Sequence, residues 1–383
     1  INFSLSSSKY KKIKHFSEKF TQSLFKPKTT SNSRNVLLVE LSTERYQKLL
    51  EESRNHNINL IQFGIRRPAI WNMNTFKIIK NTKCGIITSD SLINSKLKIK
   101  IQEQKNLITK QISELYQHDE ILSQYFSYEG YSFWCAIKPI IQKLFEKRTE
   151  HIARDIQTIK ALFQKITIDT AVISSEIGIT EQIVINESKK HGIKLALLQH
   201  GIYYDTKEAK ETNLSKGLYP VKSDKFLIWG KVSESDSKNN GFIEPTKLKI
   251  IGHPGYDSWK STSIHKDTSC VLLALTGPEH MFIQGHQVSN IIKFENYLEE
   301  ICKIVTAMKK KLIIKIHPSF HVFDFTEMIK KISADIEVIS AGSIMELINL
   351  CDVMIATNYT TAILESYLLQ KPVICLPIID YNL

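Results

Sequence analysis

Short apolar runs alternate with helical patterns along most of this chain, and this alternation limits the folds that it can adopt. The runs are rich in Val, Ile and Leu and show no regular polar alternation, which is typical of parallel strands covered on both faces. The helical patterns between them predict βα units and therefore an α/β fold with parallel sheets. In the first part of the chain the predicted strands are 36–41, 59–63, 85–88, 171–174, 195–198, 226–229 and 248–251, and the clearest helices are 97–116, 133–165 and 180–191.

A stretch poor in apolar residues, 255–268, divides the chain and has the Gly, Ser, Thr and Lys content of a linker. With 383 residues the chain is long enough for two domains. We predict two Rossmann-like doubly wound domains, 35–254 and 269–383, that face each other across a cleft with ligands at the carboxyl ends of the strands. Beyond the linker the predicted strands are 271–275, 312–316, 336–339, 353–356 and 373–376, and the predicted helices are 288–310, 325–332, 343–350 and 360–369.

Residues 1–34 form a separate basic segment in which lysines are interleaved with phenylalanines. The pattern predicts a helix within 1–28, which either lies on anionic lipid as a peripheral membrane contact or packs as a terminal helix. Residues 29–34 then form a polar tether. The net charge of +12 suits phosphate-bearing ligands, nucleic acid or an anionic membrane surface, and does not choose among them.

Several common site signatures are absent from the sequence. The six cysteines show no CxxC spacing, which excludes zinc ribbons and dithiol redox motifs and favours reduced thiols in a cytoplasmic protein. The sequence contains no GxGxxG, Walker A, HExxH or GxSxG motif. It also lacks any Asp-x-Asp pair and any histidine cluster at metal-ligand spacing. We therefore expect neither a metal site nor a cofactor.

A hydroxyl-rich helix start in the second domain is the most informative stretch. Thr357, Asn358, Thr360 and Thr361 follow a predicted buried strand and open a helix that carries Glu365. A helix N-terminus with such donors can hold a phosphate, and the glutamate could accept hydrogen bonds from ribose hydroxyls. The alternative is that Thr360 is only an N-cap and Glu365 an exposed helix residue.

Two histidines follow predicted strands at their carboxyl ends. His317 precedes a proline, which has no amide hydrogen for strand pairing and so ends the strand there. At this strand end His317 could donate to a diphosphate oxygen or stabilise a leaving group. His200 lies between Gln199 and Gly201 at the end of a first-domain strand, across the predicted cleft. An imidazole with a pKa near neutrality suits general-base work on an acceptor hydroxyl. For both histidines a purely structural role is the alternative.

Three weaker signals lie at other strand ends. Thr276 and Gly277 could touch phosphate, although a plain turn explains them as well. Glu176 could orient an acceptor or act as a base, although helix capping is the simpler explanation. The Gly-His-Pro-Gly-Tyr-Asp run over 252–257 is typical of a hinge turn, with His253 in a structural role.

These motifs resemble those of the GT-B glycosyltransferase superfamily. The resemblance rests on Gln-His-Gly at 199–201, the hinge run at 252–257, Lys-Ile-His-Pro at 315–318 and the stretch 360–373. The chain is most similar to the surface-polysaccharide group, which includes CDP-glycerol glycerophosphotransferases, capsule Kdo transferases and bacterial sialyl- or polysialyltransferases. The resemblance covers roughly residues 170–376 and is specific for the superfamily rather than for one sugar.

The resemblance implies a metal-independent transfer of a sugar or glycerol unit from a CMP-, CDP- or UDP-linked donor. The acceptor would be a glycan or a lipid-linked glycan at the cytoplasmic face of the membrane. His317, Thr360 and Thr361 would bind the donor phosphates, and His200 matches a histidine implicated in catalysis in the glycerophosphate polymerases. The chain ends one predicted strand after the donor helix, where such proteins usually continue, so a C-terminal segment is expected to be missing.

Two alternatives remain at this point. A non-hydrolysing UDP-GlcNAc 2-epimerase would use the same two-domain cleft. A nucleic-acid or anionic-surface binding protein would account for the charge. The basic residues are scattered, however, and no RNA- or DNA-binding motif occurs, so no nucleic-acid partner is expected.

Overall fold

The computed structural model describes residues 20–27, 33–203, 217–257, 269–276, 288–317, 326–340, 342–357 and 360–376. Internal contacts divide the chain into two compact units. Unit 1 consists of residues 1–200 and 215–257, and unit 2 of residues 201–214 and 258–383.

Unit 1 is built on a seven-stranded, entirely parallel sheet with the order β3-β2-β1-β6-β7-β8-β9. Strand order reverses between β1 and β6, so the loops after these strands diverge and leave a crevice at the carboxyl edge. The strands are β1 (Arg34–Val39), β2 (Ile58–Phe63), β3 (Gly85–Ile87), β6 (Thr170–Ile173), β7 (Lys194–Leu198), β8 (Lys225–Ile228) and β9 (Leu248–Ile250), and a separate hairpin contains β4 (Ser127–Tyr128) and β5 (Tyr131–Ser132).

Helices connect these strands, as parallel pairing requires. Two of them begin at asparagine caps: Asn72 accepts from the Thr75 amide and Asn94 from the Leu97 amide, which satisfies otherwise unpaired donors. The helices of unit 1 are α1 (Gln47–Glu52), α2 (Met73–Thr82), α3 (Ser89–Leu92), α4 (Ser95–Leu115), α5 (Asp119–Tyr125), α6 (Trp134–Lys165), α7 (Ile179–Lys190) and α8 (Lys231–Asn239), with 3₁₀ turns at Ser53–His56 and Pro245–Lys247.

The described part of the N-terminal segment, residues 20–27, covers the edge strand β3. The Ile86 amide donates to the Phe25 carbonyl at 2.8 Å, and the Phe25 and Phe76 rings meet edge to face. This contact pairs backbone groups that an open sheet edge would expose. The lipid contact predicted for residues 1–28 falls mostly outside the described residues.

Unit 2 repeats the same strand order on a smaller scale. Its five strands are all parallel and ordered β12-β11-β10-β13-β14, so order reverses between β10 and β13. The strands are β10 (Cys270–Leu275), β11 (Lys311–Ile316), β12 (Glu337–Ile339), β13 (Val353–Thr357) and β14 (Val373–Leu376), and the helices are α9 (Val288–Ala307), α10 (Thr326–Ile332), α11 (Ile344–Leu350) and α12 (Thr361–Leu368).

The structure confirms the predicted fold class of Rossmann-like α/β units with parallel sheets. Predicted and observed strands agree within two residues wherever the sequence pattern placed one. One difference affects the candidate site: β13 extends to Thr357, so this residue ends a strand and does not belong to the helix start. Among the described helices, none combines the length and apolarity needed to cross a membrane.

Phe294 on α9 is fully buried in the core of unit 2, together with Leu298 and the strand residues Leu273 and Ile314. Phe294→Ala should lower the free energy of unfolding by about 3–5 kcal/mol, because it removes a buried ring and leaves a cavity. Hydrogen-exchange mass spectrometry should show faster exchange in peptides from β10 and β11. Phe242→Ala, at an 87% exposed position in unit 1, is the control and should change neither quantity. Equal exchange in the two variants would contradict the described core.

Candidate functional site

A cavity of about 200 Å³ opens in unit 2 at the carboxyl ends of β10 and β11 and the start of α12. It lies beside the point where strand order reverses, which is where open α/β sheets bind ligands. Five residues that the sequence singled out lie together in its wall: Thr276, His317, Thr360, Thr361 and Glu365.

The start of α12 supplies the donors on one side of this cavity. Thr360 is the N-cap, with extended backbone angles, and its side-chain oxygen accepts from the Ala362 amide at 3.5 Å. The side-chain oxygen of Thr360 therefore caps the helix, as the alternative interpretation of the sequence expected. Thr360 and Thr361 also line the cavity. The first amides of a helix lack intrahelical acceptors, so this wall favours an anion.

Lys315 is a buried cation in the same cavity that the sequence analysis did not select as a site residue. Its side chain is 4% exposed, and its ammonium donates to the Ser340 carbonyl at 2.9 Å and to the Ile316 carbonyl at 3.3 Å. Burial lowers the pKa of this amine. The sequence did contain an indication of this residue, because a lysine within an apolar parallel strand, one residue before the strand ends, is unusual.

Thr276 and Thr357 join the two central strands of unit 2 at their carboxyl ends. The Thr276 amide donates to the Thr357 hydroxyl oxygen at 2.9 Å, and the Thr276 hydroxyl donates to the Thr357 carbonyl. Thr357 is fully buried, so its hydroxyl connects strands and does not face a ligand. This corrects its predicted part in nucleotide binding. Gly277 and Asn358, predicted with them, lie outside the described residues.

His200 follows β7 at the carboxyl edge of unit 1. Burial, followed by the nearby guanidinium groups of Arg45 and Arg67, lowers the pKa of its imidazole to about 4, while a hydrogen bond with the Ser174 backbone acts in the opposite direction. The expectation of a pKa near neutrality is therefore not met in the folded protein. At neutral pH the ring is uncharged and has a lone pair that can accept a proton.

The neighbours of His200 differ in their surroundings. Gln199 is 2% exposed, and its side-chain oxygen accepts from the Trp229 amide at 2.9 Å. Its carbonyl accepts from the Trp229 indole at 3.1 Å, so Gln199 links the end of β7 to the end of β8. Gly201, the other predicted acceptor-side residue, is half-buried directly after His200.

Glu176 anchors a loop in unit 1. Its buried carboxylate accepts from the amides of Val221, Lys222 and Ser223 at 2.8–3.2 Å and from the Ser223 hydroxyl at 2.6 Å. Both oxygens are engaged by these donors, so the geometry gives Glu176 a structural role in place of the catalytic one expected from the sequence.

The sequence analysis also missed a group of charged residues at the ends of β1 and β2. Glu40 directly follows β1, and its buried carboxylate accepts from the amides of Ile65, Arg66 and Arg67 at 2.7–3.1 Å. Arg45 lies further along the loop after β1, with its Nη2 3.0 Å from His253 Nε2. The Arg66-Arg67 pair, which begins three residues after a predicted strand, was the signal available in the sequence.

His253 belongs to the turn after β9, as the sequence predicted. Its ring stacks on Tyr256 with centroids 3.7 Å apart and meets Trp229 edge to face at 4.4 Å. Its Nδ1 accepts from the Gly255 amide at 3.0 Å. Burial, followed by Arg45, lowers the pKa of His253 to about 4.

No group of three or more His, Cys, Asp or Glu side chains within the described ranges is arranged to hold a metal ion. The chemistry available in unit 2 is anion binding by an ammonium group, hydroxyls and helix amides. A family model for LIC12162 family transferases matches residues 6–381. The chain belongs to this family.

The LIC12162 family transferase is therefore an enzyme, as the sequence predicted. No curated protein shows significant sequence similarity to it. In structure it is similar to UDP-GlcNAc 2-epimerase from Neisseria meningitidis bound to UDP-GlcNAc, with a TM-score of 0.51, 11% identity and coverage of 89% of this chain and 82% of that chain.

It is equally similar to S. aureus MnaA in a structure with UDP, with a TM-score of 0.51, 10% identity and coverage of 90% and 79% of the two chains. At this level of identity the similarity shows the fold alone, and that fold agrees with the predicted Rossmann-like α/β domains.

Glu176→Ala in the LIC12162 family transferase should lower the free energy of unfolding by about 2 kcal/mol, because three amides lose a charged acceptor and one of them is buried. Urea unfolding measures this loss, and Glu244→Ala, at an exposed position in unit 1, is the matched control. A folded variant with wild-type stability and a selective loss of turnover would instead support the catalytic role expected from the sequence.

Acidification should destabilise unit 1 as the pH falls from 6.5 towards 4. His200 and His253 have pKa values of about 4 in the folded protein against 6.5 ordinarily, so the unfolded chain binds more protons in this window. The stabilisation is complete above pH 6.5. NMR titration of the imidazole resonances checks both values, and His200→Asn should lose less stability on acidification than the exposed-site control His118→Asn. Ring titration near pH 6.5 would contradict the described burial.

Proposed function

We propose that this transferase moves a sugar or glycerol unit from a nucleotide-activated donor, and that the donor diphosphate binds in the unit 2 cavity. The observation that carries the proposal is the buried ammonium of Lys315 in the same cavity wall as the start of α12. A buried cation needs an anionic partner more than the two carbonyls that it now contacts.

The composition of the cavity fits a diphosphate better than other anions. Lys315, His317 and the hydroxyls of Thr360 and Thr361 provide donors along one wall, to which Thr276 also contributes. Phosphate oxygens accept strongly from such charged and polar donors. The volume of about 200 Å³ is below the roughly 300–1,000 Å³ of whole-ligand pockets, so we assign the cavity to the diphosphate and not to the complete donor.

Glu365 supports a nucleotide over free diphosphate. It lies one helical turn into α12 and lines the same cavity. A carboxylate accepts hydrogen bonds and repels phosphate, so it suits the ribose hydroxyls next to the phosphate site. Structurally similar proteins are described as bound to UDP and to UDP-GlcNAc, which is consistent with a nucleotide-linked donor here.

We further propose that the donor is CMP-, CDP- or UDP-linked and that the product is a cell-surface polysaccharide. The acceptor is then a glycan or a lipid-linked glycan at the cytoplasmic face of the membrane, and it binds at unit 1. His200 is the proposed base, because its uncharged ring at the carboxyl edge of unit 1 can accept the proton of an attacking hydroxyl. Its pKa of about 4 makes it a weak base, and a bound anion near it would raise that pKa. Donor charge is balanced by side chains and amides, so activity should persist in EDTA.

A thermal-shift panel with CMP, CDP, UDP, GDP and ADP tests the proposal, because a ligand that binds only the folded state raises its stability. The nucleotide that stabilises the protein is then tested as a sugar or glycerol donor with and without acceptor glycans. Product formation that requires an acceptor supports a transferase. Isomerisation of the donor sugar without an acceptor would identify an epimerase, and no stabilisation by any nucleotide would reject the donor site.

Replacing Thr360 and Thr361 together by alanine should weaken nucleotide binding by about 1–3 kcal/mol, since two hydroxyl donors to a charged group are lost. Isothermal titration with the best nucleotide of the panel measures the change. Thr306→Ala, on the exposed face of α9 in the same unit, should bind as the wild type does. Unchanged affinity in a folded double variant would end the assignment.

Replacing His200 and replacing His317 should have different effects on catalysis and on nucleotide binding. His200→Ala should lower kcat by about 10²–10⁴-fold with little change in donor affinity, the usual range for a positioned general base. His317→Ala should weaken nucleotide binding, because His317 lies at the cavity. Single-turnover rates beside melting temperatures distinguish these effects from lost stability. Normal turnover of His200→Ala would place the base elsewhere.

A further inference from the structure

Two arginines at the carboxyl edge of unit 1 have no carboxylate partner. Arg45 and Arg67 are both exposed, and within the described part of the chain neither forms an ion pair with an acid. Of the buried carboxylates at this edge, Glu40 and Glu176 accept from backbone amides, and Glu40 also lies 3.9 Å from Nε of Arg66. Arg66, in contrast, pairs with Glu181.

The loops that carry these arginines are held in place. A Cβ on Gly64 would lie 2.2 Å from the Arg67 carbonyl oxygen, and the Arg67 amide donates to Glu40 at 3.0 Å. A Cβ on Gly255 would lie 3.0 Å from Arg45 Cγ, so the stem of Arg45 packs on the turn after β9. Positions fixed in this way lower the entropy cost of binding a ligand.

Both guanidinium groups approach the same pair of buried side chains. Burial raises the pKa of Tyr46, and Arg45 and Arg67 both act against that shift. The same two arginines act on His200. Both guanidinium groups therefore lie within electrostatic range of Tyr46 and His200. Guanidinium groups that have no acidic partner among the described residues attract an oxyanion.

The contacts of His253 also call for an acceptor. Its Nδ1 faces the Gly255 amide and its Nε2 faces Arg45 Nη2, each at 3.0 Å, and both neighbours are donors. A neutral imidazole accepts at only one nitrogen, so one of these contacts brings two donors together. An oxyanion beside Arg45 and His253 would accept from both.

We propose that Arg45 and Arg67 bind an oxyanion of the acceptor substrate, a phosphate or a carboxylate, next to His200. This inference rests on the proposed function for the identity of the ligand as the acceptor. An acceptor that bears such a group would be held beside the proposed base, and its charge would offset that of the two arginines. A neutral acceptor would bring no negative charge to these two arginines.

Isothermal titration of the full chain with inorganic phosphate, at constant ionic strength set with chloride, tests the site. Arg45→Gln and Arg67→Gln should each weaken binding about 10- to 100-fold, the usual effect of losing a charged donor. Arg54→Gln and Arg148→Gln remove the same charge at other exposed positions of unit 1 and should change it less than twofold. Arg45→Lys keeps the positive charge but lacks the planar guanidinium group that can donate two parallel hydrogen bonds. Its loss of phosphate affinity should be intermediate.

Lys315→Met separates this site from the unit 2 cavity. If phosphate binding is lost in Lys315→Met and kept in the arginine variants, the ion binds in unit 2 and the inference is overturned. Equal affinity in arginine and control variants also overturns it. Arginine-dependent phosphate binding together with no nucleotide binding in the thermal-shift panel supports the anion site and rejects the donor assignment.

Methyl phosphate and acetate identify the source of the oxyanion. Competition by methyl phosphate alone supports a phosphate-bearing acceptor, and competition by acetate at similar concentration supports a carboxylate sugar. If neither compound displaces inorganic phosphate, the site does not accept a substituted anion and the acceptor assignment fails. Melting temperatures of all variants, compared with the wild type, exclude misfolding as the cause of lost binding.

Discussion

Every strand of the two large sheets runs in the same direction as its neighbours. In a parallel sheet all strands end at one edge, so the loops that follow them meet there although they are distant in sequence. The described cavity of unit 2 and the histidine and arginine residues of unit 1 both depend on this arrangement. The strand order adds the second requirement, because the loops part where it reverses and leave room for a ligand.

At the carboxyl edges of the sheets, the carboxylate side chains and the cationic side chains have different contacts. Glu40 and Glu176 are buried and accept from backbone amides, so they fix the loops and carry no exposed negative charge. The cations Arg45, Arg67 and Lys315 pair with carbonyls or with histidine. Among the described residues at these edges, the side chains that remain exposed or directed into the cavity are therefore mainly cationic.

The sequence predicted the strands well because each is a buried apolar run bounded by turn residues. It also selected Thr276, His317, Thr360 and Glu365, since polar residues just after such runs must lie at the carboxyl edge. It could not assign Gln199 or Glu176, because their hydrogen-bond partners, Trp229 and the loop at 221–223, lie 30 or more residues away. Lys315 was missed because the side-chain environment of a strand residue depends on neighbouring strands.

The pKa of His200 shows the same limit more sharply. Isolated imidazole titrates near neutrality, and nothing in the local sequence indicates that two arginines from the loops after β1 and β2 lie close to it. These arginines precede the histidine by more than 130 residues. Burial in the folded protein, followed by charges that are distant in sequence, sets the protonation state of this group.

All described residues around the unit 2 cavity come from one uninterrupted stretch, from Ala274 to Glu365. A single crossover on each side of this stretch would transfer the cavity as a whole to another chain of the same strand order. Diversification of such a protein can thus proceed by exchange of a block, with the loops of the other sheet inherited separately. The arrangement makes chimaeras between relatives a direct way to vary this cavity while the rest of the chain is retained.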